Sequence, residues 1–142
     1  MGTWGSGPFD SDTAEDTLEE LDGMSPEERK VAMLSTFRSA REGRGSPSSA
    51  VLPEEVIVAA AVVAANTPAG VTISWHDDYS IEEWLTKPVE GDVALEAVEA
   101  VESALPPDGW YWDGWVNPAD RAKAREWIDR ILDILRSAGR PN

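Results

Sequence analysis

The sequence predicts an all-α protein, a compact helical bundle of about five or six helices with aromatic-rich loops. Three observations lead to this prediction. Apolar residues recur at three- and four-residue spacing in several segments, which is typical of amphipathic helices. Residues 56–65 are apolar without interruption, as in a helix buried on every side. Helix start signals, with Ser, Asp or Asn before Pro or Glu, precede these segments. At this length we expect one domain, over residues 1–142.

The first two helices are predicted on the N-terminal side of a Gly/Ser/Pro-rich loop. The first covers residues 12–22 and ends at Gly23; Asp10, Ser11 and Asp12 are all candidate N-caps, and Asp12 with Glu15 resembles a capping box. Its inward face is predicted to consist of Ala14, Leu18 and Leu21. The second starts at Ser25-Pro26 and runs to about Arg41, with three apolar residues predicted to face inward: Val31, Leu34 and Phe37.

The remaining helices follow in order along the chain. The third is predicted from near Pro53 to Ala65, and we expect it at the centre of the core. Residues 71–75 are rich enough in β-branched residues for a short extended piece, and residues 80–85 suit one or two helical turns. Another helix opens at Gly91-Asp92. The last starts at Asn117-Pro118 and carries a clear inward stripe, namely Ala124, Trp127, Ile128, Ile131, Leu135 and Ala138.

The opening of the chain places large apolar anchors among glycines and acids: Trp4, Gly5, Gly7, Phe9, Asp10 and Asp12, followed by Asp16. Glycines allow close backbone approach, and Trp and Phe gain most from burial. We interpret the motif as a structural clamp that attaches the N-terminus to the core. The alternative is that Asp10, Asp12 and Asp16 hold a hard cation, although no loop of EF-hand spacing follows.

This opening resembles a bacterial family, domain of unknown function 4259, which begins with Trp-Gly-x-Gly-x-Phe-Asp/Glu-x-Asp and then an Ala-x-Asp step. The matching residues are Trp4, Gly5, Gly7, Phe9, Asp10, Asp12, Ala14 and Asp16. The resemblance extends to the alanine-rich third helix and to the Trp and Leu positions of the last helix. It implies a small, mostly helical bacterial protein and supplies no catalytic residues.

Charge is the strongest compositional feature, at a formal net value of −15. Residues 1–28 carry −9 and residues 54–108 carry −11, whereas residues 29–44 carry +4. Such acidity repels phosphate backbones, which argues against nucleic-acid binding, and it favours a basic protein partner. The simpler alternative is that the acidity only keeps the protein soluble.

Two surfaces are candidates for binding. Glu96, Glu99 and Glu102 form an acidic stripe on the helix that opens at Gly91, and no basic residue lies within reach along that helix. The second candidate is an aromatic loop that contains Trp110, Trp112 and Trp115. Tryptophans make good contact surfaces, so this loop either lines a groove or closes the end of the core.

His76 with Asp77 is the only local arrangement that suggests catalysis, as a base with an orienting carboxylate or as two metal ligands. The simpler interpretation is a surface loop. The sequence contains one histidine and no cysteine, so it supports no thiolate chemistry, and we predict no metal or other cofactor. No signal peptide and no segment of membrane-spanning length are recognised, which leads us to expect a cytoplasmic protein.

The sequence therefore predicts a small, soluble bacterial protein with a non-catalytic binding role, whose acidic surface meets a basic partner in a regulatory or toxin-neutralising function. The alternative is a small hydrolase or metal-dependent enzyme built on His76 and the nearby carboxylates. The oligomeric state is left open.

Overall fold

The computed structural model of the protein describes residues 9, 11–43, 51–73, 75–76, 79–106, 110–113 and 117–139. These residues form helices and turns without a strand, so the all-α prediction is confirmed. The helices are α1 (Asp12–Asp22), α2 (Pro26–Gly43), α3 (Pro53–Ala65), α4 (Gly91–Ala104), the single turn α5 (Trp110–Asp113) and α6 (Pro118–Gly139). A short 3-10 helix covers Ile81–Glu83.

Side chains cap the starts of α1, α2 and α6. Ser25 and Glu28 form a reciprocal capping box on α2: the Ser25 amide donates to Glu28 Oε1 at 2.9 Å, and the Glu28 amide donates to Ser25 Oγ at 3.2 Å. Asn117 Oδ1 accepts from the amide of Ala119 at 2.8 Å at the start of α6. On α1 the cap is Ser11, whose hydroxyl accepts from the Ala14 amide, rather than the Asp12–Glu15 pair that the spacing suggested.

The helix α3 is the centre of the molecule. Every residue from Val56 to Ala65 is buried, as its uninterrupted apolar sequence predicted. Alanine and valine are small, so neighbouring helices can lie close to it, and α3 contacts α1, α2, α4 and α6. The buried side chains of all these helices belong to one hydrophobic cluster.

The inward face of α2 differs from the predicted one. Val31 is 68% exposed, whereas the buried stripe of the helix consists of Arg29, Met33, Phe37 and Ala40. These residues follow one another at spacings of four, four and three, so they lie on one side of the helix. The prediction for Val31 was wrong because it took the inward face from apolar residues alone, whereas the buried side of the helix includes the charged Arg29.

The helix α4 lies between α2 and α6. Lys30 pairs with Glu90 near the start of both α2 and α4, and Arg41 pairs with Glu96 and Glu99 further along, so the two helices run in the same general direction. The start of α4 meets the end of α6. There a β-carbon added to Gly139 would lie only 2.6 Å from Leu95 Cγ, so the glycine permits this close approach.

After α3 the described residues up to Ile73 form turns, where the sequence allowed a short extended piece over residues 71–75. Among the described residues of this segment, the amide of Val71 donates to the Thr67 carbonyl and that of Ile73 to the Gly70 carbonyl. The Thr67 hydroxyl accepts from the Gly70 amide at 3.1 Å and donates to the Ala64 carbonyl. Local hydrogen bonds thus outweigh the β-propensity of these residues.

Candidate functional site

The predicted acidic stripe of α4 is paired with arginines from its two neighbouring helices. Arg41 of α2 lies 3.4 Å from Glu96 Oε1 and 3.2 Å from Glu99 Oε2. Arg136 of α6 lies 2.9 Å from Glu102 Oε2. All five side chains remain about half exposed, so each pair contributes at most about 1 kcal/mol and is screened by salt. The three glutamates therefore already have cationic neighbours within the chain.

The acidic face of α1 differs from the α4 stripe in its neighbours among the described residues. It carries five exposed carboxylates, those of Asp12, Asp16, Glu19, Glu20 and Asp22. None of them forms an ion pair with a cationic side chain of the described residues. Several are three or four residues apart and repel by about 0.2–0.5 kcal/mol per pair. We call this surface the α1 acidic face. It is the largest unneutralised charge on a helix of the described structure.

Arg29 attaches the end of α1 to the rest of the molecule. Its side chain is buried, and its Nε and NH2 donate to the carbonyls of Leu21 and Asp22 at 2.8 and 3.1 Å. The last turn of α1 contains no basic residue of its own. Positive charge at a helix C-terminus is favourable, so Arg29 of α2 provides the cation that the last turn of α1 lacks in its own sequence. The acidic face is thereby held on a fixed helix.

The described part of the N-terminal motif combines one buried ring with two exposed acids. Phe9 is 5% exposed and lies edge-on to His76, with ring centroids 5.7 Å apart. Asp12 and Asp16 are exposed on α1. The other residues of the motif, Trp4, Gly5, Gly7 and Asp10, lie outside the described residues. The assignment of the motif as a structural clamp stays a prediction.

His76 is a packed side chain rather than a surface one. It is 11% exposed, its Nε2 lies 3.3 Å from Glu15 Oε1 on α1, and its ring lies against Tyr79 at a centroid distance of 5.1 Å. Tyr79 in turn contacts Trp84 edge-on. The partner carboxylate is Glu15, while Asp77 and Asp78 lie outside the described residues. The described contacts join the segment around His76 to α1.

The described residues contain no group of three or more His, Asp or Glu side chains arranged to hold a metal ion. Asp12 and Asp16, two of the three acids considered for a cation, are exposed and occupy successive turns of α1. The enzyme alternative depends on His76, whose contacts among the described residues are the Glu15 carboxylate and the rings of Phe9 and Tyr79.

The aromatic loop contributes at least one residue to the core. Trp112 is 2% exposed, and the Arg125 guanidinium lies 5.0 Å from the centre of its ring. Its Nε1 is buried and has no hydrogen-bond partner among the described residues. Trp115 and the side chain of Trp110 lie outside the described residues. Trp112 would have to leave the core before it could contact a ligand.

A small cleft lies between the first turns of α2 and the segment 85–93. Its volume is about 130 Å³, and its apolar floor is formed by Leu85, Val89 and Val93. Glu27 and Glu90 lie at its rim, where the Lys30 ammonium donates a hydrogen bond to Glu90. The hydrogen bond and charge of Glu90, with a smaller contribution from Glu27, raise the pKa of Lys30 above its ordinary value. The rim is therefore a setting that favours positive charge.

Sequence reasoning missed the residues that connect distant parts of the chain. Arg29 was detectable in principle, because it continues the spacing of Met33 and Phe37 on the inward face. The pairing of Arg41 and Arg136 with the α4 stripe depends on how three helices pack, so no local pattern indicates it.

The family resemblance is confirmed by comparison with family models. The model described as Domain of unknown function (DUF4259) matches residues 2–134. The chain therefore belongs to this family. Comparison with curated proteins and comparison with solved structures each find no match. Among the described residues, no helix is long and apolar enough to span a membrane.

Proposed function

We propose that this protein is a non-catalytic binding protein that holds a basic segment of a partner protein against the α1 acidic face. The observation that carries the proposal is the contrast between the two acidic helices. The α4 glutamates have arginine neighbours at 2.9–3.4 Å, whereas the exposed α1 carboxylates have none among the described residues. A basic segment gains most where negative charge is not already neutralised.

Charge and attachment also support this surface. The whole chain carries −15, which attracts cationic partners over about a Debye length, close to 8 Å at physiological salt. Arg29 and the His76–Glu15 contact fix α1 to the core, so binding need not first order the helix. A cytoplasmic location in a bacterial cell and a regulatory or toxin-neutralising role are part of the same proposal. The sequence candidates Glu96, Glu99 and Glu102 form the secondary face, since a partner would compete there with Arg41 and Arg136.

The test is an affinity capture from the native host at low and high salt, read by mass spectrometry, with two matched variants. The first carries Asp16→Asn, Glu19→Gln and Glu20→Gln on α1. The second carries Asp92→Asn, Glu99→Gln and Glu102→Gln on α4, which changes the net charge equally. We expect to capture a basic protein that high salt releases. The α4 variant should retain this protein, and the α1 variant should bind it about tenfold more weakly.

Equal loss from both variants would show that only the net charge matters and would contradict a specific α1 surface. Retention of the same partner by the α1 variant would also contradict it. The absence of any salt-sensitive partner would overturn the binding role.

A further inference from the structure

The cleft between α2 and residues 85–93 is too small for an ordinary small-molecule site. Its volume of about 130 Å³ is well below the roughly 300–1,000 Å³ typical of ligand pockets. A space of this size suits one long side chain. Its floor is apolar, because Val93 is buried and Leu85 and Val89 are partly buried against the core.

The rim of the cleft selects the charge of such a side chain. Two carboxylates, those of Glu27 and Glu90, face one ammonium, that of Lys30, so the rim is negative overall. An anionic group would be repelled, and a neutral polar group would gain little from the rim. Lysine and arginine combine an apolar stem with a cationic end, which matches an apolar floor below a carboxylate rim.

We propose that this cleft is the specificity pocket of the α1 acidic face and receives a single arginine or lysine side chain from the bound basic segment. The inference rests on the proposed function, because it assumes that a basic segment lies on α1. The stem of the side chain packs on Leu85 and Val89. Its cationic end pairs with Glu27 and shares Glu90 with Lys30.

The position of the cleft relative to α1 supports this assignment. Arg29, between two residues of the cleft region on α2, donates to the carbonyls of Leu21 and Asp22 at the end of α1. Its NH1 also donates to the carbonyl of Trp84, the residue before Leu85, at 3.1 Å. The end of the acidic face and the floor of the cleft are thus joined through one side chain. In the proposed complex, the bound segment passes from the last turn of α1 to the cleft.

The test is a titration of the ¹⁵N-labelled full chain with hexa-arginine, followed through backbone amide shifts, with hexacitrulline as the uncharged probe of the same shape. We expect the amides of Thr86, Val89 and Glu90 to shift together with those of α1 and to saturate at one concentration. Hexacitrulline should shift neither set.

Two cleft variants then separate the contribution of the rim charge from that of the cleft volume. Glu27→Gln with Glu90→Gln removes the rim charge, and Val89→Phe fills the cleft without changing charge. We expect each to abolish the cleft shifts and to weaken hexa-arginine binding about five- to tenfold, while the α1 shifts persist. The amide spectrum of each free variant shows whether the fold is intact.

The outcomes distinguish the two proposals. Shifts on α1 without shifts in the cleft would overturn the pocket and leave the proposed function standing. The absence of saturable shifts on α1 would count against the proposed function itself. Equal effects of hexacitrulline would overturn cation recognition at the cleft.

Discussion

The guanidinium carbon of Arg29 lies 4.7 Å from the centre of the Trp84 ring, and its NH1 donates to the Trp84 carbonyl at 3.1 Å. The same side chain donates to two carbonyls at the end of α1. One buried cation therefore joins α1, α2 and the segment after the 3-10 helix. The acceptors of these hydrogen bonds are backbone oxygens, so the position of Arg29 depends on the fold rather than on an acidic side chain.

Replacing Arg29 should destabilise the protein strongly. Arg29→Met keeps much of the apolar stem but leaves three carbonyls without their donors, and we expect a loss of about 2–4 kcal/mol in the free energy of unfolding. Arg29→Lys should lose less than Arg29→Met, because an ammonium still donates to some of these carbonyls although it cannot reach all three. Urea unfolding measures both. Arg38→Met, at an exposed position of α2, is the control and should change stability by less than about 0.5 kcal/mol. Equal effects at the two positions would contradict the role of Arg29.

Asn66 is the second polar residue that holds the core together. It is 1% exposed, its Nδ2 donates to the carbonyls of Val62 and Ile81 at 2.8 and 2.7 Å, and its Oδ1 accepts from the Leu85 amide. Asn66→Leu should cost about 2–3 kcal/mol in urea unfolding, because the segment 81–85 loses its attachment to α3 and buried backbone groups lose their partners. Thr72→Val removes an exposed hydroxyl bonded to the Ala69 carbonyl and should be nearly neutral. A neutral Asn66→Leu would refute this attachment.

Gly70 is required by the close return of the chain onto α3. A β-carbon at this position would lie 1.7 Å from the Ala64 carbonyl oxygen, a backbone atom that cannot move aside cheaply. We expect Gly70→Ala to cost at least about 3 kcal/mol or to prevent folding, read as a loss of the helical circular dichroism or of the unfolding transition. Gly23→Ala is the matched control, since its β-carbon would meet nothing nearer than 3.8 Å. Equal stability of the two variants would contradict a close return of the chain at Gly70.

The capping box of α2 gives a pH dependence with a definite sign. The hydrogen bond from the Ser25 amide and, to a smaller extent, the one with the Ser25 hydroxyl lower the pKa of Glu28 below its ordinary 4.5. A lowered folded-state pKa stabilises the protein above the unfolded value, and this contribution is lost as pH falls through the folded value. Glu28→Gln should therefore lower the thermal midpoint at pH 7, and the difference from the natural protein should shrink below about pH 4.5. A difference that stays constant down to about pH 3 would contradict the assignment.

Most of the fold could be predicted from the sequence because helix starts, helix ends and apolar spacing are local features. Ser25, Pro53 and Asn117 each mark a helix start where the structure has one, and the buried α3 follows from ten consecutive apolar residues. The short extended piece that the β-branched residues of 71–75 allowed is replaced by turns up to Ile73, because β-propensity there competes with hydrogen bonds of Thr67.

The candidate site was harder to predict because it depends on which charges meet. In the sequence, Glu96 and Asp16 are both carboxylates without a nearby arginine. In the structure Glu96 has one, but this arginine comes from α2 and is 55 residues away in the sequence. The acidity of residues 1–28, which include α1, can be counted from the sequence, but the lack of cationic neighbours of α1 among the described residues is visible only in the packed structure. The cleft was not predictable, because Glu27 and Lys30 come from α2 whereas the other residues that line it come from the segment 85–93.

The complete enclosure of α3 has a consequence for how the protein opens. An amide in α3 can exchange its hydrogen with water only when several surrounding helices separate from it, which amounts to unfolding the whole chain. Helix α1 is attached through Arg29, Glu15 and one buried face, but its opposite face lies in water. Exchange should therefore be slowest in α3 and faster on the exposed side of α1.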